Sequence, residues 1–352
     1  MDIQKLLRNN IKNLKPYSSA RDEFQGGTKT MVFLDANENP FENGVNRYPD
    51  PYQNALKGLL SELKDFSRDQ ILLGNGSDEV LDIIYRAFCE PKDDNILILP
   101  PTYGMYEVLA GINDVAVKKI NLTSEFQLDV PKILQATDDH SKLLLLCSPN
   151  NPTGNSFSEK DLEKLISKFK GIVVLDEAYI DFSEKESWLK RLNEFPNLIV
   201  TQTLSKAYGM AGIRLGICYA SKEIITVLNR IKPPYNVNIL TQKKAIEQLQ
   251  NKGLAHNQIN DILEQRNHLK IVLKNIPFIS KIYPSDANFL LVKVDDATKR
   301  YQQLLKLGIV TRNRTNEVGC ENCLRLTVGT AEENKRIIEA FKSLSNLKSS
   351  KK

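Results

Sequence analysis

The 352-residue sequence lacks any apolar run near the roughly 18 residues that a membrane-spanning helix requires. Its first residues, Met1–Lys5, lead into a polar segment and do not provide the apolar core of a signal peptide. We therefore expect a cytoplasmic protein that has no membrane anchor.

Side chains that commonly bind metal ions are also scarce. The chain has three histidines, and none of them falls in a motif described below. Its five cysteines include a single Cys-x-x-Cys pair, Cys320 and Cys323, with no second pair or histidine at the spacing of zinc ligands. An odd number of cysteines without a secretion signal favours free thiols in a reducing compartment. We expect neither a metal site nor a redox motif.

The charge and the composition narrow the class further. The net charge of +5 is mild and spread along the chain, which suits anionic small molecules but gives little support for nucleic-acid binding. The apolar fraction of 41% and the charged fraction of 26% are those of an ordinary globular protein. Because 352 residues exceed the usual size of one core, we expect more than one domain. The predicted divisions are an N-terminal arm with part of a small domain (residues 1–47), a large domain (48–265) and a C-terminal small domain (266–352).

Short apolar runs alternate with stretches of helical periodicity, which indicates an α/β fold. The runs are continuous, so each strand is expected to be buried on both faces, as in a parallel sheet covered by helices. The predicted strands are Ile96–Leu99, Leu143–Cys147, Ile172–Leu175, Leu198–Thr201 and Leu215–Tyr219.

The pattern changes after Asn275 to short strands and two helices, which predicts a smaller α+β unit. Thr330 and Glu333 form a capping-box pair at the start of the last helix. The segment before Tyr48 has no core of its own, and we expect it to pack on this smaller unit.

Polar side chains follow four of the predicted strands, at the edge where ligands bind in an open parallel sheet. Tyr103, behind a pair of prolines, can stack on a flat ring, and Asn151, in a rigid turn, can donate a hydrogen bond to a ring oxygen. Asp176 leaves a buried strand and needs a partner such as a pyridinium nitrogen, while Tyr179 can reach the ring oxygen. Each of these residues alone is also compatible with a packed loop, a plain turn or a helix cap.

The fourth strand is followed by a segment of small residues that contains hydroxyls, a lysine and an arginine. Lys206 can form an imine with a phosphorylated aldehyde cofactor, while a hydroxyl pair and Arg214 hold the phosphate. Upstream, the turn Gly74–Ser77 precedes a helix whose backbone amides can cradle a phosphate. A lone lysine of this kind is usually a surface residue, but the order of these groups at successive strand ends favours a cofactor site.

With these residues in this order, the chain resembles the fold-type I pyridoxal-phosphate enzymes of the aspartate aminotransferase superfamily over nearly its whole length. Further segments are similar to those of the histidinol-phosphate aminotransferase family. They are Asn13–Arg21, Leu34–Pro40, Arg47–Asp50, Pro101–Tyr106 and Leu324–Thr330. The resemblance implies a large domain with a mostly parallel seven-stranded sheet, a smaller α+β domain, and pyridoxal 5′-phosphate as the cofactor.

The resemblance also implies a role for each matching residue. Lys206 would bind the cofactor covalently and then shuttle a proton, Asp176 would pair with the pyridine nitrogen, and Tyr103 would stack on the ring. Asn151 and Tyr179 would contact the ring hydroxyl. The residues implied around the cofactor phosphate are Gly76, Ser77, Asp78 through backbone amides, Thr203, Ser205 and Arg214, with Tyr48 of the neighbouring subunit in a homodimer. Those implied at the substrate are Tyr17, Asn37, Arg312 and Arg325, although Arg314 is close enough in sequence to take the place of Arg312.

The implied reaction is an amino-group transfer of histidine biosynthesis, between histidinol phosphate and 2-oxoglutarate, which yields imidazole-acetol phosphate and glutamate. Arg312 and Arg325 would accept the phosphate of one substrate and a carboxylate of the other in turn. Two alternatives on the same scaffold stay open, an aromatic aminotransferase and a decarboxylase of threonine phosphate. A non-catalytic binding protein is a more distant alternative, which the presence of Lys206 disfavours.

Overall fold

The computed structural model describes residues 2–15 and 31–346. The strands in this part of the chain form two β-sheets. The strands of the larger sheet are β1 (Ile71–Asn75), β2 (Asn95–Ile98), β3 (Ala116–Lys119), β4 (Ser141–Cys147), β5 (Ile172–Asp176), β6 (Leu198–Thr203) and β7 (Leu215–Ala220). Those of the smaller sheet are β8 (Ile279–Ile282), β9 (Phe289–Val294), β10 (Arg312–Asn313) and β11 (Cys323–Thr327). The α-helices are α1 (Asn9–Lys12), α2 (Asn54–Lys64), α3 (Ser77–Phe88), α4 (Met105–Ile112), α5 (Val130–Gln135), α6 (Glu159–Lys168), α7 (Lys222–Ile231), α8 (Ile239–Gln250), α9 (Lys252–Leu273), α10 (Ala297–Lys306) and α11 (Ala331–Asn346). Short 3₁₀ helices span Ile3–Leu6, Arg68–Gln70, Ile180–Phe182, Trp188–Glu194 and Ala211–Ile213.

The larger sheet has the strand order β1-β7-β6-β5-β4-β2-β3. β7 runs antiparallel to both of its neighbours, and the pairs from β6 to β3 are parallel. This confirms the prediction of a mostly parallel sheet of seven strands. The sequence does not predict β1, whose short apolar run ends at Gly74, or β3, which lies at the sheet edge and carries partly exposed lysines.

Helices cover both faces of the larger sheet. On one face, strand residues such as Val174 and Ile199 pack against α3, α4 and α7. On the other face, Leu175 and Val200 pack against α2, α6 and α8. The apolar runs of the sequence are continuous because their residues face these two cores alternately.

The segment before Tyr48 was expected to pack on the smaller unit, but the first residues of its described part pack elsewhere. Ile3, Leu7 and Ile11 belong instead to the apolar cluster that contains α3 and α7. Ile3 lies in the first 3₁₀ helix and Ile11 in α1, and extended backbone at Leu7 joins the two, so each of the three side chains can be buried on the helices of the larger sheet. The boundaries of the domains themselves stay a prediction.

The smaller sheet has the order β10-β11-β9-β8, and α9, α10 and α11 supply most of its apolar core. The capping box is confirmed at the start of α11. The Thr330 N–H donates to Glu333 Oε2 at 2.8 Å, and the Glu333 N–H donates to Thr330 Oγ1 at 3.3 Å. All five cysteines carry free thiols, and Cys320 and Cys323 are packed in an apolar core.

Asp286 joins the smaller sheet to the larger one. Its N–H donates to the carbonyl of Gly154 at 2.7 Å, and its carboxylate accepts from the Ser156 N–H at 3.2 Å. This contact brings β10 and β11 opposite the carboxyl ends of β4, β5 and β6. Within the described ranges, no helix is both long and apolar enough to cross a membrane.

Candidate active site

A cavity of about 490 Å³ lies between the carboxyl ends of β4, β5 and β6 and the nearest strands of the smaller sheet. Most of the site residues that the sequence predicts line this single cavity. They are Ser77, Asp78, Tyr103, Asn151, Asp176, Tyr179, Thr203, Ser205, Lys206, Arg214, Arg312 and Arg325. Residues separated by up to about 250 positions in the chain thus meet in one cavity. Those between Ser77 and Arg214 lie at the carboxyl edge of the parallel strands, and Arg312 and Arg325 come from the smaller sheet.

Four predicted residues are not among those that line the cavity. One of them, Gly76, directly precedes Ser77, which does line it. Asn37 and Tyr48 line a separate recess at the surface. The Tyr48 ring is 53% exposed and stacks on Tyr235, with ring centroids 4.6 Å apart. Tyr17 lies outside the described residues.

Asp176 is the last residue of β5, and it is buried at the base of the cavity. The Tyr106 hydroxyl donates to its Oδ2 at 2.8 Å, and the Ala178 N–H donates to its Oδ1 at 3.1 Å. Burial raises the pKa of Asp176, while these hydrogen bonds act in the opposite direction. No described side chain forms an ion pair with this carboxyl group, so a cationic ligand atom is the partner that would offset its burial.

Tyr106 is not among the site residues that the sequence predicts. Its side chain is fully buried, and its ring meets the ring of Tyr103 edge to face, with centroids 5.5 Å apart. The available signal was a second tyrosine three residues after Tyr103 at the start of a helix, a spacing that places both on one side. Tyr106 thus holds Asp176 from behind while Tyr103 lines the cavity.

Lys206 follows β6, and its side chain lines the cavity with its Nζ 5.8 Å from the centroid of the Tyr179 ring. The Ser205 N–H donates to Thr203 Oγ1 at 3.1 Å, which fixes the turn that carries the lysine. Desolvation lowers the pKa of Lys206, and the positive charge of Arg325 acts in the same direction. More of the neutral, nucleophilic amine is therefore present at neutral pH than in a free lysine.

An anion site is built at the N-terminus of α3. Gly76 precedes this helix with φ +82°, and a Cβ there would lie 2.6 Å from Arg214 Nη2. The positive φ favours glycine here, and any Cβ would push the guanidinium away from the first helical turn. Asp78 keeps this arginine in place with its Oδ2 3.7 Å from Nη2, and it accepts a 3.0 Å hydrogen bond from the Tyr103 hydroxyl. The free amides of the helix start and Arg214 together suit a phosphate.

Three arginines enter the cavity from the smaller sheet. Arg312 and Arg325 are paired across β10 and β11, and Arg314 follows with its Nη1 3.4 Å from Glu317. Arg325 Nη1 donates to Asn151 Oδ1, which leaves the amide NH₂ group of Asn151 as a donor for a ligand. Burial lowers the pKa of Arg325, and the charge of Arg314 adds to this effect. Such a concentration of positive charge suits an anionic ligand, and both Arg312 and Arg314 are placed to bind it.

Comparison with known proteins gives a consistent result. Residues 27–341 match the family model of the class I and II aminotransferases. The chain is 62% identical to the histidinol-phosphate aminotransferase of Flavobacterium johnsoniae, and the match covers 97% of this chain and 99% of that protein. The crystal structure of the histidinol-phosphate aminotransferase from Clostridium acetobutylicum superimposes with a TM-score of 0.79 at 25% identity, over 86% of this chain and 91% of that chain. The histidinol-phosphate aminotransferase of Sinorhizobium meliloti, solved in complex with pyridoxal-5′-phosphate, shares the fold with a TM-score of 0.77 at 21% identity, over 85% of this chain and 83% of that chain.

Proposed function

Since the chain belongs to the class I and II aminotransferases, and among them to the histidinol-phosphate aminotransferase family, we propose that it transfers the amino group of histidinol phosphate to 2-oxoglutarate. The products are imidazole-acetol phosphate and glutamate, and the reaction is a step of histidine biosynthesis. The observation that carries the proposal is one cavity that combines Lys206, the buried Asp176 and three arginines.

The cavity fits pyridoxal 5′-phosphate. When bound, this cofactor supplies an aldehyde that reacts with amines and a protonated ring that withdraws electrons. Asp176 would hold the ring nitrogen, because its buried carboxyl group has no ion-pair partner among the described side chains. Asn151 and Tyr179 would hold the ring oxygen, and Tyr103 would cover the ring. The residues that would hold the phosphate are Gly76, Ser77, Asp78, Thr203, Ser205 and Arg214.

Lys206 would carry the proton during the reaction. Its Nζ, with a lowered pKa, can accept a proton from the substrate Cα at neutral pH and return it to a neighbouring carbon. Arg325 and one of Arg312 and Arg314 orient the substrate through its phosphate. The same guanidinium groups bind a carboxylate of 2-oxoglutarate in the second half of the reaction, since both anions match their planar donor geometry.

A donor panel tests the proposal. The enzyme loaded with pyridoxal phosphate is given 2-oxoglutarate and one amino donor, and glutamate formation is measured. Histidinol phosphate should give a higher kcat/KM than phenylalanine, aspartate or histidinol, because these donors lack the phosphate that the arginines bind. Release of carbon dioxide from a phosphorylated amino acid, without glutamate, would instead identify a decarboxylase.

Replacement of the lysine tests the catalytic assignment. Lys206→Ala should abolish turnover and the absorption band of the covalently bound cofactor. The control Lys222→Ala removes a lysine whose side chain is 74% exposed and pairs with Asp69, and it should leave both unchanged. Normal turnover in Lys206→Ala would show that another group carries the proton.

A homodimer in the cytoplasm completes the proposal. Val45, Tyr48 and Leu240 line the surface recess and are 53%, 53% and 63% exposed, so that apolar side chains cluster at the surface here. A second copy would cover this recess and place Tyr48 at the phosphate site of its partner. Sedimentation equilibrium should give twice the chain mass of 39.9 kDa, whereas a monomer would contradict this part.

A further inference from the structure

Glu177 follows Asp176 directly, but its side chain lies on the opposite face of the sheet. It is 1% exposed and has no place in the proposed chemistry. Its carboxylate accepts three hydrogen bonds, from Ser187 Oγ at 2.5 Å, from the Trp188 N–H at 2.7 Å and from Gln202 Nε2 at 2.9 Å. A buried carboxylate is thus fully engaged on the far side of the strand that ends in Asp176.

The three donors come from two elements other than β5. Gln202 belongs to β6, the strand that leads to Lys206, and Ser187 and Trp188 begin the 3₁₀ helix that covers this face. The parallel pairing of β5 with β6 ends at Asp176, and the Glu177 N–H still donates to the Thr201 carbonyl at 2.8 Å. Beyond this point, the bond between Glu177 and Gln202 continues the link between the two strands.

We propose that Glu177 is a positioning residue of the reaction, which fixes the carboxyl ends of β5 and β6 relative to each other from behind the active site. Asp176 leaves one of these strand ends, and Lys206 follows the other. The relative placement of the carboxylate that would hold the cofactor ring and the amine that would carry the proton therefore depends on how the two ends are joined. The inference rests on the proposed function for the roles of Asp176 and Lys206.

The chemistry of the contact favours a carboxylate over any neutral side chain. Three donors converge on the group, and a carboxylate has acceptor oxygens and no donor of its own. Glutamine at this position would direct an NH₂ group at one of these donors, and an apolar residue would leave all three unpaired.

The surroundings of Glu177 make the burial of its charged form costly in free energy. Burial raises the pKa of Glu177 to about 7, while its hydrogen bonds and the charge of Lys64 oppose the rise. The other titratable or charged groups that surround it or line the adjacent cavity are Asp181, Tyr208, Tyr219, Glu159, Glu184, Lys185, Glu186, Lys190 and Arg191. Burial of an acidic group of this kind costs free energy, and a positioning role would explain why it is kept.

The test is Glu177→Gln in the enzyme loaded with pyridoxal phosphate. We expect kcat per bound cofactor to fall about 10-fold or more, because small displacements of reacting groups cost rate steeply, with KM unchanged. The pH midpoint of the absorption band of the bound cofactor should also shift. Ser187→Ala removes one donor and keeps the charge, and it should give a smaller loss of kcat. Glu186→Gln makes the same chemical change at a side chain that is 72% exposed and should alter nothing.

The absorption midpoint separates this inference from the proposed function, because it does not depend on the amino donor. A folded Glu177→Gln enzyme with a lower melting temperature but normal kcat and a normal midpoint would overturn the positioning role. If Glu177→Gln does not fold, Ser187→Ala decides. Wild-type kcat and midpoint in that variant would overturn the inference equally.

Discussion

At the scale of single residues, the carboxyl group of Asp176 is held by Tyr106, which does not line the cavity. The Tyr106 hydroxyl donates to Asp176 at 2.8 Å in a fully buried position. Tyr106→Phe keeps the ring and its contact with Tyr103 but removes this donor. We expect the affinity for pyridoxal phosphate to fall about 10-fold, as for the loss of one hydrogen bond to a charged group. Fluorescence titration of the cofactor-free enzyme measures it.

A matched control is available among the buried tyrosines. The Tyr219 hydroxyl is buried and has no hydrogen-bond partner in the described structure, so Tyr219→Phe should leave the cofactor affinity unchanged. If both variants bound the cofactor as tightly as the wild type, the hydrogen bond to Asp176 would have no part in cofactor binding.

Glu177 should make stability depend on pH. Burial raises its folded pKa to about 7 from the ordinary 4.5, so the folded chain binds this proton more tightly than the unfolded chain. The stabilisation is complete below the unfolded pKa and is lost as the pH rises through the folded value. The free energy of unfolding of Glu177→Gln relative to wild type should therefore rise between about pH 5 and about pH 8. Urea denaturation measures it, and a difference that stays constant with pH would contradict the raised pKa.

Tyr103, Asn151, Asp176 and Lys206 were predictable from the residues themselves, because each follows an apolar strand, whereas Arg312 and Arg325 were implied only by the family resemblance. Tyr106 and Glu177 were not predicted as site residues. The bond of Tyr106 to Asp176 spans 70 positions and depends on how α4 packs against β5. Glu177 received no role from the sequence, because the face on which it lies follows only from the register of β5 with β6.

At the scale of elements, α11 depends on the capping box that the sequence predicts. Thr330 accepts from the Glu333 N–H, and its own N–H donates to the Glu333 carboxylate. Thr330→Ala should lower the free energy of unfolding by about 1 kcal/mol, because a helix-start amide loses its acceptor. Urea denaturation measures the change.

An interior threonine of another helix serves as the control. The Thr226 hydroxyl donates to the Lys222 carbonyl at 2.8 Å, so it satisfies no amide at a helix start. Thr226→Ala should change the free energy of unfolding by less than about 0.5 kcal/mol. Equal losses in the two variants would mean that the cap contributes nothing of its own.

Elements were predictable where their burial is two-sided and local. The five predicted strands lie in the sheet interior, where continuous apolar runs mark them. β3 was not predicted, because it is an edge strand whose lysines stay partly exposed and interrupt the apolar run. The antiparallel direction of β7 has no local signal, since it depends on which strands become neighbours.

At the scale of the whole molecule, the cavity is complete only when the two sheets are correctly placed. Arg325 reaches Asn151 across 174 positions of the chain, and Asp286 contacts Gly154 in the same turn. No local pattern encodes these distances, and for the same reason the prediction that the N-terminal segment packs on the smaller unit was wrong for Ile3, Leu7 and Ile11. The resemblance to a known family was the one sequence-level route to this arrangement.

Gly154 is the position where the placement of the two sheets can be tested. Its φ is +86°, and a Cβ would lie 2.7 Å from Ser285 Oγ of the smaller unit. Gly154→Ala should therefore displace the smaller sheet and with it Arg325. We expect kcat/KM for histidinol phosphate to fall about 10-fold, while the affinity for pyridoxal phosphate changes less, because most of the groups that would hold the cofactor lie on the larger sheet.

Gly111→Ala is the control for this change. Gly111 lies within α4, and an added Cβ would meet no atom within 4 Å, so the variant should keep its activity and gain slightly in helix stability. Equal losses of kcat/KM and cofactor affinity in Gly154→Ala would locate the defect in the Asn151 turn itself. A loss of kcat/KM without a loss of cofactor affinity would show that the arginines bind the substrate from the smaller sheet. The rate would then depend on the distance between the smaller sheet and the strand ends of the larger sheet.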